Sequence, residues 1–192
     1  MSRLSGTKTE RNLLAAFAGE SQARNRYSYA AGVARKEGYV QIAALFEETA
    51  ENEREHAKRF FKFLEDGNMV EITATYPGGK IGTTEENLAA AAAGEHEEWT
   101  ELYPAAAKIA KDEGFADVAA AFTMIARVEK EHEARYQRLL DNVRGKKVFK
   151  RDGAAQWKCR NCGYVHEGPE APAKCPACLH PQSHFELKDT NY

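Results

Sequence analysis

Cysteine is absent from the first 158 residues of this 192-residue chain, and all four cysteines fall between positions 159 and 178. They form two pairs, Cys159-x-x-Cys162 and Cys175-x-x-Cys178. The first ten residues, MSRLSGTKTE, also lack the apolar middle of a secretion signal. We therefore expect a cytoplasmic protein whose clustered cysteines bind a metal ion and do not form disulfides.

Long apolar runs and an excess of basic charge are missing as well. The longest apolar run, LAAAAAG, is much shorter than the roughly 20 residues that a membrane-spanning helix needs. The chain has 27 Lys and Arg against 29 Asp and Glu, a net charge of −2. No glycine-rich nucleotide-binding motif is present. We therefore expect no contact with a membrane or a nucleic acid, and no directly bound NAD(P)H.

Residues 8–145 are rich in Ala, Glu, Lys, Arg and Leu, with apolar residues at helical spacing. This pattern predicts four helices, near 8–37, 39–66, 84–112 and 115–144. Capping boxes at Thr7 and Thr83 are predicted to open the first and third helices. Pro104 lies inside the third helix and is expected to kink or split it.

Short links join the helices within each pair, whereas a long segment with a Pro-Gly-Gly turn joins the second helix to the third. One long crossover between two helical hairpins predicts an all-α, ferritin-like four-helix bundle. From about residue 146 the composition changes to Pro, Gly, Cys and His without helical spacing. The chain is therefore divided into a bundle, residues 1–146, and a small C-terminal metal domain with short β-strands, residues 147–192.

The two predicted hairpins are similar in sequence. KEGYVQIAALF at 36–46 matches DEGFADVAAAF at 112–122, and EREH at 53–56 matches EKEH at 129–132, both at an offset of 76. Glu20 and Glu95 are 75 residues apart, and each follows an Ala-Gly pair. The bundle is therefore predicted to be a duplicated hairpin. Gly19 and Gly94 are expected to let neighbouring backbones approach closely, beside a bound metal or through tight helix packing.

Five glutamates and two histidines lie on the apolar stripes of these helices, near the middle of the bundle. They are Glu20, Glu53, His56, Glu95, Glu98, Glu129 and His132. Five carboxylates cannot share a dry core without cations, and no Lys or Arg lies on the stripes at these levels. Glu from two helices and Glu-x-x-His from two others is the pattern of di-iron and di-manganese carboxylate proteins. Carboxylate with imidazole favours iron.

Glu98 is the exception to the duplication, because Ala23 occupies the corresponding position of the first helix. One metal ion is therefore expected to have a carboxylate within reach that the other lacks. A single Glu-x-x-His motif usually lies on a solvated helix face. Other acidic and histidine residues nearby fall off the apolar stripes and are predicted to face solvent, namely Glu51, Glu55, His96, Glu97, Glu131 and Glu133.

The two Cys-x-x-Cys pairs, with twelve residues between them, predict a four-thiolate site for either iron or zinc. About 45 residues need such a site in order to fold. The flanking residues WKCRNCGYVHEG, CPAC and HFEL resemble rubredoxin, although Leu179 follows the last cysteine where free rubredoxins usually have glycine. A ferritin-like di-iron bundle followed by a rubredoxin-like domain resembles the rubrerythrin family over essentially the whole chain.

This resemblance implies a metal-binding role for each motif residue. Two irons are expected in the bundle, bound by Glu20, Glu53, His56, Glu95, Glu129 and His132, with Glu98 as an additional ligand. One iron is expected to exchange His56 for Glu98 as its oxidation state changes, so these two residues are the expected catalytic residues. A third iron, which zinc can replace, is expected on Cys159, Cys162, Cys175 and Cys178. Tyr27 and Tyr103 match aromatic positions that line the family's site, with core packing as the alternative.

The resemblance also implies an activity. It implies a peroxidase of oxidative-stress defence that reduces hydrogen peroxide to water and is re-reduced through the rubredoxin-type iron. Electrons are expected from a separate NAD(P)H-linked reductase or from a rubredoxin. The family further implies a head-to-tail homodimer.

Two other functions fit parts of the sequence. A ferritin-type ferroxidase or iron-handling protein would use the same bundle residues, but iron storage needs no built-in reductant. A non-enzymatic binding protein with a zinc ribbon would use only the cysteine motif. A di-iron oxygenase is less well supported, because nothing in the sequence marks a pocket for an organic substrate.

Overall fold

The computed structural model describes residues 4–64 and 67–189 and confirms the predicted fold. The helices are α1 Lys8–Lys36, α2 Val40–Phe61, α3 Thr84–Glu97, α4 Tyr103–Asp112 and α5 Ala116–Arg144. α3 and α4 are two parts of the predicted third helix, so the architecture is a four-helix bundle of two hairpins. A segment without regular structure, including residues 67–83, forms the long crossover. Within the described residues, no helix is long and apolar enough to cross a membrane.

The third helix is interrupted by a π-helical turn, Glu98–Leu102. The Tyr103 N–H bonds to the Glu98 carbonyl, which is one residue further back than in an α-helix. The predicted interruption is confirmed, but it lies before Pro104, which sits in the first turn of α4 where its missing N–H costs nothing. The extra residue of this turn explains why the repeat offset is 75 at Glu95 and 76 from Tyr103 onward.

The ends of the helices follow the predicted caps with two differences. At Thr83 both halves of the capping box form, whereas at Thr7 the Glu10 carboxylate accepts a hydrogen bond from the Gly6 N–H instead. The predicted second helix extends to residue 66, but α2 ends at Phe61. Backbone bonds from residues 63 and 64 to carbonyls three residues earlier tighten this end. Residues 65 and 66 lie outside the described ranges.

The apolar core of the bundle has two parts, one on either side of the mid-bundle glutamates. One cluster contains Tyr27, Phe46 and Tyr136, and the other contains Phe60 and Phe122. On every long helix the chain passes from one cluster to the other through an acidic residue. The inward-facing glutamates therefore form a polar layer between two apolar cores.

The C-terminal domain contains strands β1 Lys150–Cys159, β2 Val165–Glu170 and β3 Phe185–Leu187. They form an antiparallel sheet in the order β2-β1-β3. Trp157 is fully buried in its core and donates a hydrogen bond from Nε1 to the Gly168 carbonyl at 3.0 Å. The Phe149 ring stacks on Tyr39, so this domain packs against the start of α2.

Candidate metal centres

The mid-bundle cluster draws one or two side chains from each segment of the bundle. Glu20 comes from α1, Glu53 and His56 from α2, Glu95 from α3, and Glu129 and His132 from α5. The four glutamates are at most 1% exposed. No apolar environment would retain four such carboxyl groups without protons or cations. These residues therefore face the interior of the bundle, as predicted.

Two groups of four ligands overlap within this cluster. One group is Glu20, Glu53, His56 and Glu129, and the other is Glu53, Glu95, Glu129 and His132. In each group the candidate ligand atoms lie within 4.8 Å of one another. Glu53 and Glu129 belong to both groups, so the arrangement provides two adjacent cation sites with two shared carboxylates. Each site also has one glutamate and one histidine of its own.

The two shared carboxylates each direct one oxygen to each histidine. Glu53 places Oε2 at 2.9 Å from His56 Nδ1 and Oε1 at 3.3 Å from His132 Nδ1. Glu129 places Oε1 at 3.0 Å from His56 Nδ1 and Oε2 at 2.8 Å from His132 Nδ1. Both imidazoles therefore present Nδ1 to the interior of the cluster. A carboxylate with its two oxygens directed to two sites is suited to bridge two metal ions.

Two buried tyrosines support the unshared glutamates. Tyr27 donates a hydrogen bond to Glu95 Oε1 at 2.5 Å, and Tyr103 donates one to Glu20 Oε1 at 2.5 Å. Both rings also pack in the apolar clusters, so each tyrosine contributes to the core and contacts the metal site as well. Each hydroxyl occupies one oxygen of its glutamate and leaves the other oxygen directed into the site.

The charges of the metal-free cluster are balanced by protons. Burial raises the pKa of Glu20, Glu95 and Glu98 well above the usual carboxyl value, and neighbouring carboxylates raise it further. Burial alone would raise the pKa of Glu53, but hydrogen bonds to His132 and His56 outweigh it and lower that pKa to about 2. Divalent cations would have to displace the protons of the raised groups.

Both histidines are held as imidazolium by the shared carboxylates. Burial alone would lower their pKa values, but hydrogen bonds to Glu129 and Glu53 outweigh it. The pKa of His56 is raised to about 10 and that of His132 to about 9. A cation in each site would replace these two positive charges.

Unpaired buried atoms test whether metal ions fit this cluster. Six buried side-chain atoms of the cluster make no well-aligned hydrogen bond in the described chain, although four of them lie in the ion-pair contacts given above: Glu20 Oε2, Glu53 Oε1, Glu95 Oε2, both carboxylate oxygens of Glu129, and His132 Nδ1. A buried unpaired polar atom costs about 1–3 kcal/mol. All six are oxygen or imidazole nitrogen atoms that bind iron. The residues present therefore fit a pair of metal ions.

Glu98 lies at the edge of the cluster and belongs to neither group of four. It is half-buried in the π-helical turn and forms part of the wall of a cavity of about 400 Å³ between α1, α3 and the crossover. Gly19, Tyr76 and Gly94 line the same cavity. The Tyr76 hydroxyl donates to the Ala15 carbonyl at 2.6 Å, which holds the crossover against α1.

The expectation for Gly19 and Gly94 is wrong. A Cβ atom at Gly94 would meet nothing within 4 Å, and one at Gly19 would meet only the Tyr76 ring, at 3.5 Å. Within residues 4–64 and 67–189, no backbone atom of another segment lies within 4 Å of a Cβ atom at either position. These glycines instead leave open the cavity that leads to Glu98.

Most of the residues off the stripes face solvent as predicted. Glu51, Glu55, His96, Glu97 and Glu131 are exposed. Glu133 is the exception, because it is half-buried and accepts hydrogen bonds from Trp99 Nε1 at 2.5 Å and from His96 Nδ1 at 3.0 Å. The π-helical turn brings Trp99 to it, which the helical spacing alone did not predict.

One residue near the cluster was missed entirely. The Asn52 Oδ1 atom lies 3.3 Å from His132 Nε2, on the side of the ring away from the carboxylates. Its position immediately before a Glu-x-x-His motif could have indicated this contact. From that position Asn52 faces His132, the histidine of the other hairpin.

The four cysteine sulfurs form a second candidate site in the C-terminal domain, within 4.8 Å of one another. The Cys159 and Cys178 sulfurs are 3.7 Å apart, as are those of Cys162 and Cys175. Leu179 adopts the left-handed φ of +64° that glycine would adopt without strain, and its N–H still bonds to the Cys175 carbonyl. The departure from glycine therefore leaves all four ligands in place.

The thiols of this site hold their protons unequally. The backbone N–H of His180 lowers the pKa of Cys178 to about 5. The Tyr164 N–H favours the Cys162 thiolate, but the hydrogen bonds that Cys162 shares with the other cysteines outweigh it and raise its pKa to about 12. A bound cation is therefore needed before all four sulfurs can be thiolates together.

The family model for rubrerythrin matches residues 11–140, and the model for the rubredoxin-like domain of rubrerythrin matches residues 157–186. The chain belongs to the rubrerythrin family. It is 61% identical to rubrerythrin of Porphyromonas gingivalis over 98% of this chain and 94% of the relative. It is 55% identical to rubrerythrin of Nitratidesulfovibrio vulgaris over the full length of both.

Solved structures agree with this family. A structure of nigerythrin in a partially reduced state is 31% identical, covers 96% of this chain and 90% of its own, and superposes with a TM-score of 0.63. As in the rubrerythrin family, the bundle carries a ferritin-like di-iron site and the C-terminal domain carries a four-cysteine, rubredoxin-like iron site. The predicted family, fold and cofactors are therefore confirmed, and the chain belongs to a family of oxidoreductases.

Proposed function

We propose that this protein reduces hydrogen peroxide to water at the di-iron site and is re-reduced through the four-cysteine iron site, as a defence against oxidative stress. The observation that carries this proposal is the combination, in one chain, of a two-metal carboxylate cluster and a one-electron centre. A ferroxidase would need only the first of these. The rubrerythrins to which the chain is similar match it over both of its domains.

The residues of the cluster supply positions for two irons that share two carboxylates. Glu53 and Glu129 would bridge the ions, with Glu20 and His56 completing one site and Glu95 and His132 the other. When bound, a ferrous pair supplies the two electrons that, with two protons from solvent, break the O–O bond of hydrogen peroxide and give two waters. The tyrosine hydroxyls on Glu20 and Glu95 hold these two carboxylates in place while the charge of the site changes.

Glu98 is proposed as the ligand that exchanges with His56. A carboxylate brings one more negative charge than an imidazole, so it stabilises the more positive, oxidised form of a site. Glu98 lies at the edge of the cluster, and burial favours its protonated form when the site is metal-free. Loss of that proton would accompany its entry into the site.

The cavity beside Glu98 is the proposed route for peroxide. Its walls include Gly19, Gly94 and Tyr76, and it extends to the edge of the cluster at Glu98. The polar side chains along it include Arg26, Glu97 and Glu98, which can hydrogen-bond to a small hydroperoxide. Water leaves by the same path.

The test begins with the fully reduced, iron-loaded chain under anaerobic conditions. Hydrogen peroxide added stepwise should reoxidise the two bundle irons and the four-cysteine iron, each by one electron. One peroxide should be consumed for every two electrons, with no release of oxygen, and the visible spectrum follows the reaction. Oxygen evolution would indicate catalase chemistry and contradict the proposal. Repeated oxidation of added Fe²⁺ with mineral formation, and no faster reaction with peroxide, would favour the ferroxidase instead.

A separate donor is proposed to supply the electrons, either an NAD(P)H-linked reductase or a rubredoxin. Cys162 is exposed, so such a donor can approach the four-cysteine site at this residue. A head-to-tail homodimer is proposed as well. Its support is membership of the rubrerythrin family, whose named relatives match this chain across both domains.

A further inference from the structure

The two histidines of the cluster are held differently on their outer sides. His132 Nε2 lies 3.3 Å from Asn52 Oδ1, and its side chain is 5% exposed. The His56 side chain is 13% exposed, and within residues 4–64 and 67–189 its Nε2 has no hydrogen-bond partner. On their inner sides, both rings present Nδ1 to the same two carboxylates.

The duplication explains this difference. Asn52 precedes Glu53 on α2, and at the offset of 76 the corresponding residue before Glu129 is Val128. Val128 is apolar and 37% exposed, so it can offer His56 no hydrogen bond. The two halves of the site therefore have the same carboxylates at the histidine Nδ1 atoms but differ in the residue that lies beside Nε2.

The Asn52 contact has a defined chemical effect. An amide oxygen only accepts hydrogen bonds, so it selects the His132 tautomer with the proton on Nε2. That tautomer leaves the Nδ1 lone pair directed to the cluster, where it can bind a metal ion. Outer partners of this kind hold the ring in one orientation, and their loss typically lowers metal affinity or activity by about 10- to 100-fold.

We propose that Asn52 is a positioning residue that fixes His132 as a permanent ligand, whereas Val128 leaves His56 free to move away from its metal. The second half of this statement rests on the ligand exchange proposed above. The first half does not, since it concerns metal binding alone. Thus the side of the site that changes its ligand is determined by one Asn–Val difference between the two hairpins, together with the Glu98–Ala23 difference.

The first experiment measures metal binding. Co²⁺ is titrated into full-length chain whose four-cysteine site is already filled with zinc. Asn52→Leu, which keeps the shape but removes the acceptor, should weaken one of the two bundle sites by about 10- to 100-fold. Asn52→Asp, which keeps an acceptor oxygen and adds a negative charge, should bind at least as tightly as the unaltered chain. Equal affinities in the unaltered chain and Asn52→Leu would overturn the role of Asn52.

The second readout identifies the tautomers directly. In the fully zinc-loaded chain with ¹⁵N-labelled histidine, NMR should show a hydrogen-bonded Nε2–H on His132 that Asn52→Leu loses and Asn52→Asp retains. A loss of folding alone would not be rescued by Asp in this way. A His132 Nε2–H signal unchanged in Asn52→Leu would also contradict the proposal.

The third experiment supplies the missing partner to His56. Val128→Asn should give His56 a hydrogen-bonded Nε2–H in the same NMR measurement and slow peroxide turnover by about tenfold or more. Val128→Leu, matched in shape, should leave turnover unchanged. Turnover of Val128→Asn at the unaltered rate, with the new hydrogen bond seen, would overturn the mobility of His56. Absence of peroxidase activity in the unaltered chain would instead refute the proposed function and leave the Co²⁺ result standing.

Discussion

At the scale of single residues, Glu98 differs from the other inward-facing glutamates because the first hairpin has Ala23 in its place. It lies outside both four-ligand groups, yet it shares the buried polar layer and the cavity wall. We therefore expect that the loss of Glu98 affects catalysis and not the binding of the two ions.

Glu98→Ala is expected to bind both bundle irons and to reduce peroxide at least tenfold more slowly, because no carboxylate remains to stabilise the oxidised site. Iron analysis and stopped-flow oxidation by peroxide measure the two properties separately. Glu101→Ala, an exposed glutamate of the same π-helical turn, is the matched control and should behave like the unaltered chain. Turnover by Glu98→Ala at the unaltered rate would refute the ligand exchange.

Residue types and spacing predict most of this site and miss the rest for identifiable reasons. Glu20, Glu53, Glu95 and Glu129 were found because a buried carboxylate on an apolar helix stripe needs a compensating charge. Asn52 was missed, because its role depends on a histidine 80 residues away that only packing brings within reach. Glu133 was wrongly predicted to face solvent. Its partner Trp99 reaches it only because the helix period changes locally, which the spacing of apolar residues does not reveal.

At the scale of elements, the π-helical turn determines which residues of the third helix face inward. Glu95 precedes this turn, Glu98 begins it and Tyr103 follows it, and all three face the cluster. In a regular α-helix without the extra residue's wider turn, Tyr103 would be rotated away from the face that carries Glu95. The change of repeat offset from 75 to 76 was visible in the sequence and marks this insertion. Helical periodicity could not locate it, because an extra residue shifts the stripe by less than a third of a turn.

Gly94 tests the proposed route for peroxide, since a side chain there has room but would enter the cavity. Gly94→Leu should lower kcat/KM for peroxide several-fold and leave the iron content unchanged. It should also raise stability by about 0.5–1 kcal/mol, because leucine favours a helix more than glycine does. Thermal unfolding and steady-state kinetics measure the two effects.

Gly32→Leu is the matched control for this prediction. Gly32 lies in α1, a Cβ there would also meet nothing within 4 Å, and it does not line the cavity. It should gain stability in the same way and keep its kcat/KM. Equal kinetics for both variants would indicate that peroxide reaches the cluster by another path.

At the scale of the whole molecule, the metal-free bundle should become less stable as pH rises. His56 and His132 have pKa values of about 10 and about 9, above the ordinary 6.5. Groups that bind protons more tightly when folded stabilise fully below their unfolded pKa and lose that effect as pH rises through the folded pKa. The raised carboxyl pKa values act in the same direction.

The melting temperature of the metal-free chain should therefore fall between pH 6.5 and pH 10, while that of the iron-loaded chain should change less. Calorimetry across this range measures both. His96→Gln, a substitution of an exposed histidine outside the cluster, should leave the profile unchanged. A metal-free melting temperature that is constant across this range would contradict the charge balance described for the cluster.

The route of electrons between the two domains can be tested with mixed dimers. Cys175→Ser should remove the four-cysteine iron and reduce sustained turnover at least tenfold, while a single oxidation of the reduced bundle by peroxide persists. Glu53→Ala should remove the bundle function and leave the four-cysteine site intact. Mixing the two variants should restore activity if the chain forms the proposed head-to-tail dimer, because one intact C-terminal domain then faces one intact bundle. No recovery in a proven mixed dimer would mean that each chain reduces its own bundle.

The shared carboxylates have a consequence for assembly. Glu53 belongs to the first hairpin and Glu129 to the second, and each reaches both positions of the pair. Neither hairpin therefore contains all the ligands of one site, and even a single ion has to be bound by residues of both hairpins. Iron binding should therefore strengthen the packing of one hairpin on the other, so that loss of iron weakens the contact between the hairpins more than it weakens either hairpin alone.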